Sequence, residues 1–312
     1  MADSVHVQGD ADATKEKLRA ARLSLIINFL LILIKLVVAL LTGSLAILAE
    51  LMHSFFDMLA SFFAYLGIRK ADEPADESHQ FGHEKFENLS SLAQTVLIVL
   101  TSLFIMWEAA QKIMDPAGHE VKETTIGLGV MFFSMIVAHF VSKYLGKVSE
   151  EHGSAALEAD AAHFKTDLWG AIAVIIGLLF VILGYPIFDA VAALFVAVLM
   201  LWISYHLGMK SIHVLTDKSP HASIISDIEG VILSTPKVSS YHKLKVRQAG
   251  SKLFLEMHIQ VDPAMSVAEG HNVAHDVKEK LSKKFQNLKE ATIHVEPSGL
   301  DNEGEKDLED GF

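Results

Sequence analysis

Long apolar runs alternate with short polar breaks over the first two-thirds of the chain, and the pattern changes after Leu215. Crossing a bilayer as a helix takes roughly 20 mainly apolar residues. Six segments meet that condition: Leu23–Leu41, Leu45–Ile68, Leu89–Met114, Ile126–Leu145, Ala161–Leu183 and Ile187–Leu207. The links Thr42-Gly43-Ser44 and Gly184-Tyr185-Pro186 are short enough to force antiparallel hairpins. Beyond Leu215 the periodicity is that of a soluble fold. Ser219–Ser234 and Val267–Phe285 read as amphipathic helices, while Val246, Leu253–Val261 and Ala291–Glu296 fall in strand-like runs. The order αββαβ predicts a small open α+β sandwich, which leaves room for a dimer contact because so small a domain is marginal alone. The expected organisation is therefore a disordered tail over 1–16, a membrane all-α six-helix bundle over 17–215, a cytoplasmic metal-binding α+β domain over 216–298 and a disordered acidic tail over 299–312.

Composition sharpens this picture. The chain has 312 residues, 51% of them hydrophobic, and a mean hydropathy of +0.35. It has no cysteine, which excludes disulfides and thiolate metal sites, so a metal site must be built from nitrogen and oxygen ligands, for which 16 histidines are available. A net charge of −12 argues against nucleic acid as a partner. Met1–Thr14 lack the basic region and short apolar core of a signal peptide. Lys15, Lys17, Arg19, Arg22, Arg69, Lys70, Lys85, Lys143 and Lys147 fall on one side of the predicted bundle, whereas only Lys112 and Lys122 fall on the other. The positive-inside rule then puts both termini in the cytoplasm.

Ionisable groups inside a span cost a few kcal/mol each and by default mark function. The second span carries His53 and Asp57, and the fifth carries His163 and Asp167. Spacing of i, i+4 stacks each pair on one helix face. A single pair is explained as well by a local hydrogen bond. Two such pairs facing each other supply an N2O2 set suited to Zn2+, with Co2+ and Fe2+ as alternatives. Counting from the extracytoplasmic ends, the second-span pair lies roughly 12 to 18 Å deep and the fifth-span pair roughly 24 to 30 Å deep at about 1.5 Å per residue. Facing ligands must sit level, so the fifth helix either projects beyond the bilayer or tilts or bends near Gly170 or Gly177. Glu50 and Asp160 are candidate relay or entry groups, and Lys35, His139 and Asp189 candidate interhelical partners.

Two further groups carry ligand chemistry. Asp76, His79 and His83, in the connection before the third span, either close around one ion at the membrane surface or belong to a solvated loop. In the soluble part, strand alternation turns Phe254, Glu256, His258 and Gln260 away from the core, and likewise His294 and Glu296. The intervening helix carries His271 and His275, and His242 is ambiguous because Leu244 and Val246 share its face.

With six spans, two His-x-x-x-Asp pairs, the loop Phe81-Gly82-His83-Glu84-Lys85-Phe86-Glu87 and a C-terminal α+β domain, the chain resembles the cation diffusion facilitator family over about Lys17 to Pro297. The resemblance implies a homodimer in a lipid bilayer that exchanges divalent metal ions for protons, in a prokaryotic inner membrane. It implies a transport site at His53, Asp57, His163 and Asp167, and a loop site at Asp76, His79 and His83. It further implies a metallochaperone-like, ferredoxin-like cytoplasmic domain with a binuclear site at His242, His258, His271, His294 and Glu296, and an ion pair between Lys85 and Asp217. The chain departs from bacterial relatives in carrying His53 where many have Asp, and Glu296 where many have Asp. It also lacks the His-rich loop of eukaryotic members, since the fourth-to-fifth connection offers His152 alone. Zn2+ is the expected cargo and regulatory ligand, with Fe2+ or Mn2+ as alternatives. A membrane metalloenzyme using Glu50 as base, or a sensor that binds without transporting, would be built from the same ligands.

Overall fold

The computed structural model describes residues 2–42, 45–114, 125–183, 185 and 187–299. It divides into two compact units, Met1–Thr216 and Asp217–Phe312. Among the described residues the first unit holds six long helices: α1 (Ala2–Thr42), α2 (Leu45–Ala71), α3 (Lys85–Met114), α4 (Thr125–His152), α5 (Ala155–Ile182) and α6 (Ile187–Leu215). Gly43, Ser44, Lys122, Gly184, Pro186, the acidic tail from Leu300, and the side chains of Glu50 and Asp189 lie outside the described residues.

Several helices outlast the apolar runs that predicted them, and they do so on the charged side. α1 begins at Ala2 instead of emerging from a loose tail, α5 begins at Ala155 instead of Ala161, and α6 runs on to Leu215. Helix-forming Ala, Lys and Glu residues extend a helix once a span has nucleated it. Side-chain pairs then tie the projecting turns together. Lys210 Nζ lies 2.5 Å from Glu158 Oε2, and His152 Nε2 lies 3.1 Å from Glu16 Oε2.

The interior of this unit holds many polar groups, while large apolar side chains lie on its surface. Phe104, Trp107, Phe140, Phe195 and Trp202 point outward, while Ser24, Asn28, Ser61, Gln94, Asp160 and Ser204 are buried. That inversion suits a hydrocarbon solvent, in which polar groups can be satisfied only by one another. Among the described residues, Asp12–Val37, Lys85–Met114 and Ala190–Leu215 are long and apolar enough to cross a membrane. Ala20 and Ala21 of α1, Ala64 and Ile68 of α2, Val141 and Leu145 of α4, and Leu157 and Phe164 of α5 share one core. Ile98 of α3 meets Val196 and Met200 of α6 in a second, smaller cluster.

The second unit has the order α7 (Ala222–Leu233), β1 (Ser240–Ala249), β2 (Lys252–Val261), α8 (Val267–Lys284), β3 (Leu288–Pro297). This is the αββαβ order expected. The sheet order is β1-β2-β3, with β1 antiparallel and β3 parallel to the central strand. Leu253, Leu255, Met257 and Ile259 of β2 pack against Ile228 and Ile232 of α7 and Val273, Val277 and Leu281 of α8. Both helices thus cover one face of the sheet and leave the other to polar side chains. A capping box starts α8: Glu269 N–H donates to Ser266 Oγ, and Ser266 N–H donates to Glu269 Oε2 at 2.9 Å.

Small residues set the helix spacing in the first unit. A Cβ on Gly67 would fall 2.1 Å from Ser90 Oγ and 2.4 Å from Ser90 Cβ, so α2 and α3 touch backbone to side chain there. Gly67→Leu is expected to destabilise the detergent-solubilised protein by about 1–3 kcal/mol through overpacking. Thermal unfolding checks this, and a wild-type midpoint would show that α2 and α3 separate freely.

Candidate metal centres

The buried centre of the first unit is built on α2 and α5. Asp57 comes from α2, and His163 and Asp167 stand one turn apart on α5. His163 Nε2 lies 2.9 Å from Asp57 Oδ1 and 3.8 Å from Asp167 Oδ2. One ligand atom from each of the three lies within 4.8 Å of the others. Asp57 and His163 are buried and Asp167 is partly so. His163 Nδ1 meets no hydrogen-bond partner among the described residues. His53 stands one turn before Asp57 on α2, and its side chain lies outside the described residues.

The two helix faces meet at one level, with His163 Nε2 against Asp57 Oδ1. α5 stays helical through Gly170 and Gly177, so no break in the helix at either glycine brings the ligands level. Hydroxyls and an amide surround the centre. Asn28 Nδ2 donates to Ser61 Oγ at 2.8 Å, and Ser61 Oγ donates to Asp160 Oδ1 at 2.7 Å. Asp160, three residues before His163, is completely buried.

The loop between α2 and α3 gathers Asp76, His79 and His83. Ser78 Oγ and the Ser78 and His79 amides all donate to Asp76 Oδ1, at 2.7, 2.8 and 2.6 Å. Those donors, the Ser78 hydroxyl foremost, hold the carboxyl well below the usual range, at about 2. His83 is buried, and its Nδ1 lies 3.1 Å from the Pro74 carbonyl, which fits an N–H donated there. That tautomer leaves Nε2 as an acceptor 3.3 Å from Asp76 Oδ2. The His79 and His83 rings stand 4.4 Å apart, and each lies 5.7 Å from the Phe86 ring. Gly82, at φ +97, makes the turn that brings the second histidine round.

In the second unit, His242, His258 and His294 occupy one row across the three strands, paired in register. Glu296 binds all three: its carboxylate lies 3.2 Å from His242 Nε2, 2.6 Å from His258 Nδ1 and 3.5 Å from His294 Nε2. The ambiguity of His242 is resolved by a β-bulge between His242 and Lys245, with Lys243 at φ +51. One extra residue turns His242 to the polar face while Val246 pairs with Leu255 in the core. His271 is not brought to this row. It is exposed on α8, whose buried side packs on the opposite face of the sheet.

Some groupings carried no signal in the sequence. Glu16, Glu151 and His152 meet where α1 passes the end of α4. Glu87, buried at the start of α3, accepts from Lys17 Nζ at 3.1 Å and from the Ser154 hydroxyl. Lys85 Nζ donates to the Leu215 carbonyl at 3.5 Å, and Arg247 lies 3.6 Å from Asp217. The partners are far apart in sequence, so no local pattern could pair them.

The geometry thus defines a membrane protein with buried and peripheral nitrogen–oxygen centres suited to divalent cations. Residues 21–216 match the cation efflux transmembrane domain, and residues 220–298 match the cation efflux protein cytoplasmic domain. The cation-efflux pump FieF of Shewanella oneidensis is 30% identical over 278 residues, 89% of this chain and 93% of the pump. Metal tolerance protein 2 of Oryza sativa is 30% identical over 301 residues, 89% of this chain and 77% of that protein. An uncharacterised transporter of Methanocaldococcus jannaschii is 29% identical over 274 residues, 88% of this chain and 96% of its own. The metal-bound C-terminal domain of the CzcD transporter from Thermotoga maritima is similar at 32% identity, covering 26% of this chain and 96% of that domain, with a TM-score of 0.24. The chain belongs to the cation diffusion facilitator family. It is therefore a membrane transporter for the efflux of divalent metal cations, not an enzyme.

The Asp76 hydrogen bonds give the loop a pH signature. A carboxyl whose folded value is depressed stabilises the folded form above its unfolded pKa of ~3.9, and that contribution is lost as pH falls towards about 2. Protection of the Ser78 and His79 amides, taken against the intrinsic exchange rate at each pH, should fall over this window in the wild type. In Asp76→Ala it should be low throughout, and equal protection in the variant would mean that the carboxylate does not organise the loop.

Proposed function

We propose that the cargo is Zn2+, exported from the cytoplasm by alternating access in exchange for protons. The ion is held between α2 and α5 by Asp57, His163 and Asp167, with His53 as the fourth ligand. The observation that carries this reading is the convergence of three ligand atoms within 4.8 Å of one another in a buried interior. Two imidazoles and two carboxylates form a tetrahedral set of the kind zinc takes, while iron and manganese favour more oxygen and higher coordination. Metal binding requires neutral imidazole, so loading the site releases protons and outward protonation displaces the ion. Histidine, with an ordinary pKa of ~6.5, exchanges protons in the physiological range.

If these residues hold the ion, Asp57→Ala and Asp167→Ala should each reduce zinc flux to background in vesicles containing a metal-sensitive dye. The dimer should still purify, which separates loss of a ligand from loss of the fold. Near-normal flux in either variant would remove the residue from the site.

Within the same proposal, the Asp76–His79–His83 loop takes up metal at the membrane surface. The row His242, His258, His294 with Glu296 binds metal in the cytoplasmic domain, where filling it favours the dimer that transports. His271 joins the binuclear set from a second copy of the chain or stays outside it, since within one chain it lies apart from the row. The second unit has its own core, so its metal binding can be measured alone. Residues 217–299 should bind zinc in the micromolar range and unfold at higher temperature with zinc present. His258→Ala with His294→Ala should abolish both effects. The same pair in the full chain should leave residual flux, and complete loss with an intact dimer would make the domain obligatory.

A further inference from the structure

Asp160 is fully buried on α5, three residues before His163. Its Oδ1 accepts the Ser61 hydroxyl at 2.7 Å. Its Oδ2 is equally out of reach of water and meets no hydrogen-bond partner among the described residues. Holding α2 to α5 needs a single acceptor, which asparagine would supply through its carbonyl without bringing a charge into the bundle. A carboxylate at this point is costly unless something positive meets its second oxygen.

The level of Asp160 is fixed on two helices. With both termini in the cytoplasm, α2 runs towards that side and α5 away from it. Ser61, four residues after Asp57, and Asp160, three residues before His163, therefore both lie on the cytoplasmic side of the ion centre. Those spacings keep Asp160 on the helix face of His163 and Ser61 on that of Asp57. One turn, about 5 Å, separates the two levels. Further polar atoms gather beside Ser61. Ser24 Oγ lies 2.9 Å from Ser61 Oγ, and Asn28 Nδ2 donates to Ser61 Oγ at 2.8 Å, all from buried residues. An ion moving along the α2–α5 seam between the cytoplasm and the centre passes this level.

We propose that Asp160 is a transient ligand for the cargo, a way-station on the cytoplasmic side of the Asp57–His163–Asp167 centre where Oδ2 meets the entering divalent cation. The hydroxyl oxygens of Ser61 and Ser24 stand beside it as neutral ligands, and water fills the remaining positions. An all-oxygen set of this kind holds a transition-metal ion loosely and with little choice among metals. The ion then moves one turn on, to the imidazole of the centre, which binds it more firmly and sets selectivity. Two sites of unequal strength along one seam let an ion enter without being trapped on the way. The inference rests on the proposed ion centre, and its test separates the two.

The experiment measures zinc KM and kcat in vesicles for the wild type, Asp160→Asn, Ser24→Ala and Asp57→Ala. Asp160→Asn keeps an acceptor for Ser61 and removes the charge. It should raise KM about tenfold or more and leave kcat within about threefold of wild type, since the centre itself is unaltered. Where Asp160→Asn fails to form the dimer, Ser24→Ala reads the same point by removing one oxygen and keeping the carboxylate, and its KM should rise about threefold or more. The chain has no cysteine, so Asp160→Cys places a single thiol at this level. Thiolate is a firm ligand for soft divalent ions, so cadmium should slow its reaction with a small membrane-permeant maleimide by about tenfold or more. That protection should persist when Asp160→Cys is combined with Asp57→Ala, because the ion reaches position 160 before the centre. Absence of protection, or its disappearance with Asp57→Ala, would overturn the role of Asp160. So would an unchanged KM, or a fall in kcat alone, which mark a structural tie or a proton carrier. Wild-type flux in Asp57→Ala would instead overturn the ion centre.

Discussion

Polar groups within a bilayer have no water to fall back on, and this constraint organises the first unit. Asp57, His163 and Asp160 are tolerated only where hydroxyls, an amide and other ionisable groups meet them inside the bundle. The faces of α1, α2 and α5 that supply those partners must therefore turn towards one another. The chain Asn28 to Ser61 to Asp160 crosses all three helices with donor–acceptor distances of 2.8 and 2.7 Å. The apolar core of Ala20, Ala21, Ala64, Leu157 and Phe164 packs around the same three helices and α4. Polar satisfaction and small-residue packing thus favour one arrangement of the helices, and that arrangement brings Asp57 to His163.

The second unit solves a different problem with similar chemistry. There the sheet needs only one covered face, and α7 and α8 both pack on it. The other face is free to carry histidines in register. Glu296 draws three of them together through hydrogen bonds and charge.

Much of this was legible in the chain because its signals are local. Apolar runs, the i, i+4 pairs on α2 and α5, and period-two alternation in β2 each sit within one element, so pattern and structure share one cause. What escaped was set by geometry between elements. The level at which His163 meets Asp57 depends on how α2 and α5 pack, which a count of residues from the span ends does not carry. The side of His242 depended on a bulge at Lys243, whose only trace in the sequence is the conflict between His242 and Val246 over one face. Glu87 read as part of a charged loop, yet Lys17, 70 residues away, meets it in the interior. The separation of His271 from the row depended on which face of the sheet α8 covers, and the strand order alone leaves that open.

The three histidine-carboxylate groups differ chiefly in how water reaches them, and under the proposed reading that difference sorts their roles. Asp76 is exposed, so water is at hand when an ion binds or leaves the loop. In the Glu296 row, His242, His258 and Glu296 are half-buried while His294 is exposed, so water reaches one end of it. The Asp57–His163 contact is almost fully enclosed, where attraction between ion and carboxylate is strong and release correspondingly slow. A transporter needs the reverse at its central site: binding firm enough to load, weak enough to empty. Under that reading, proton competition at imidazole supplies the weakening.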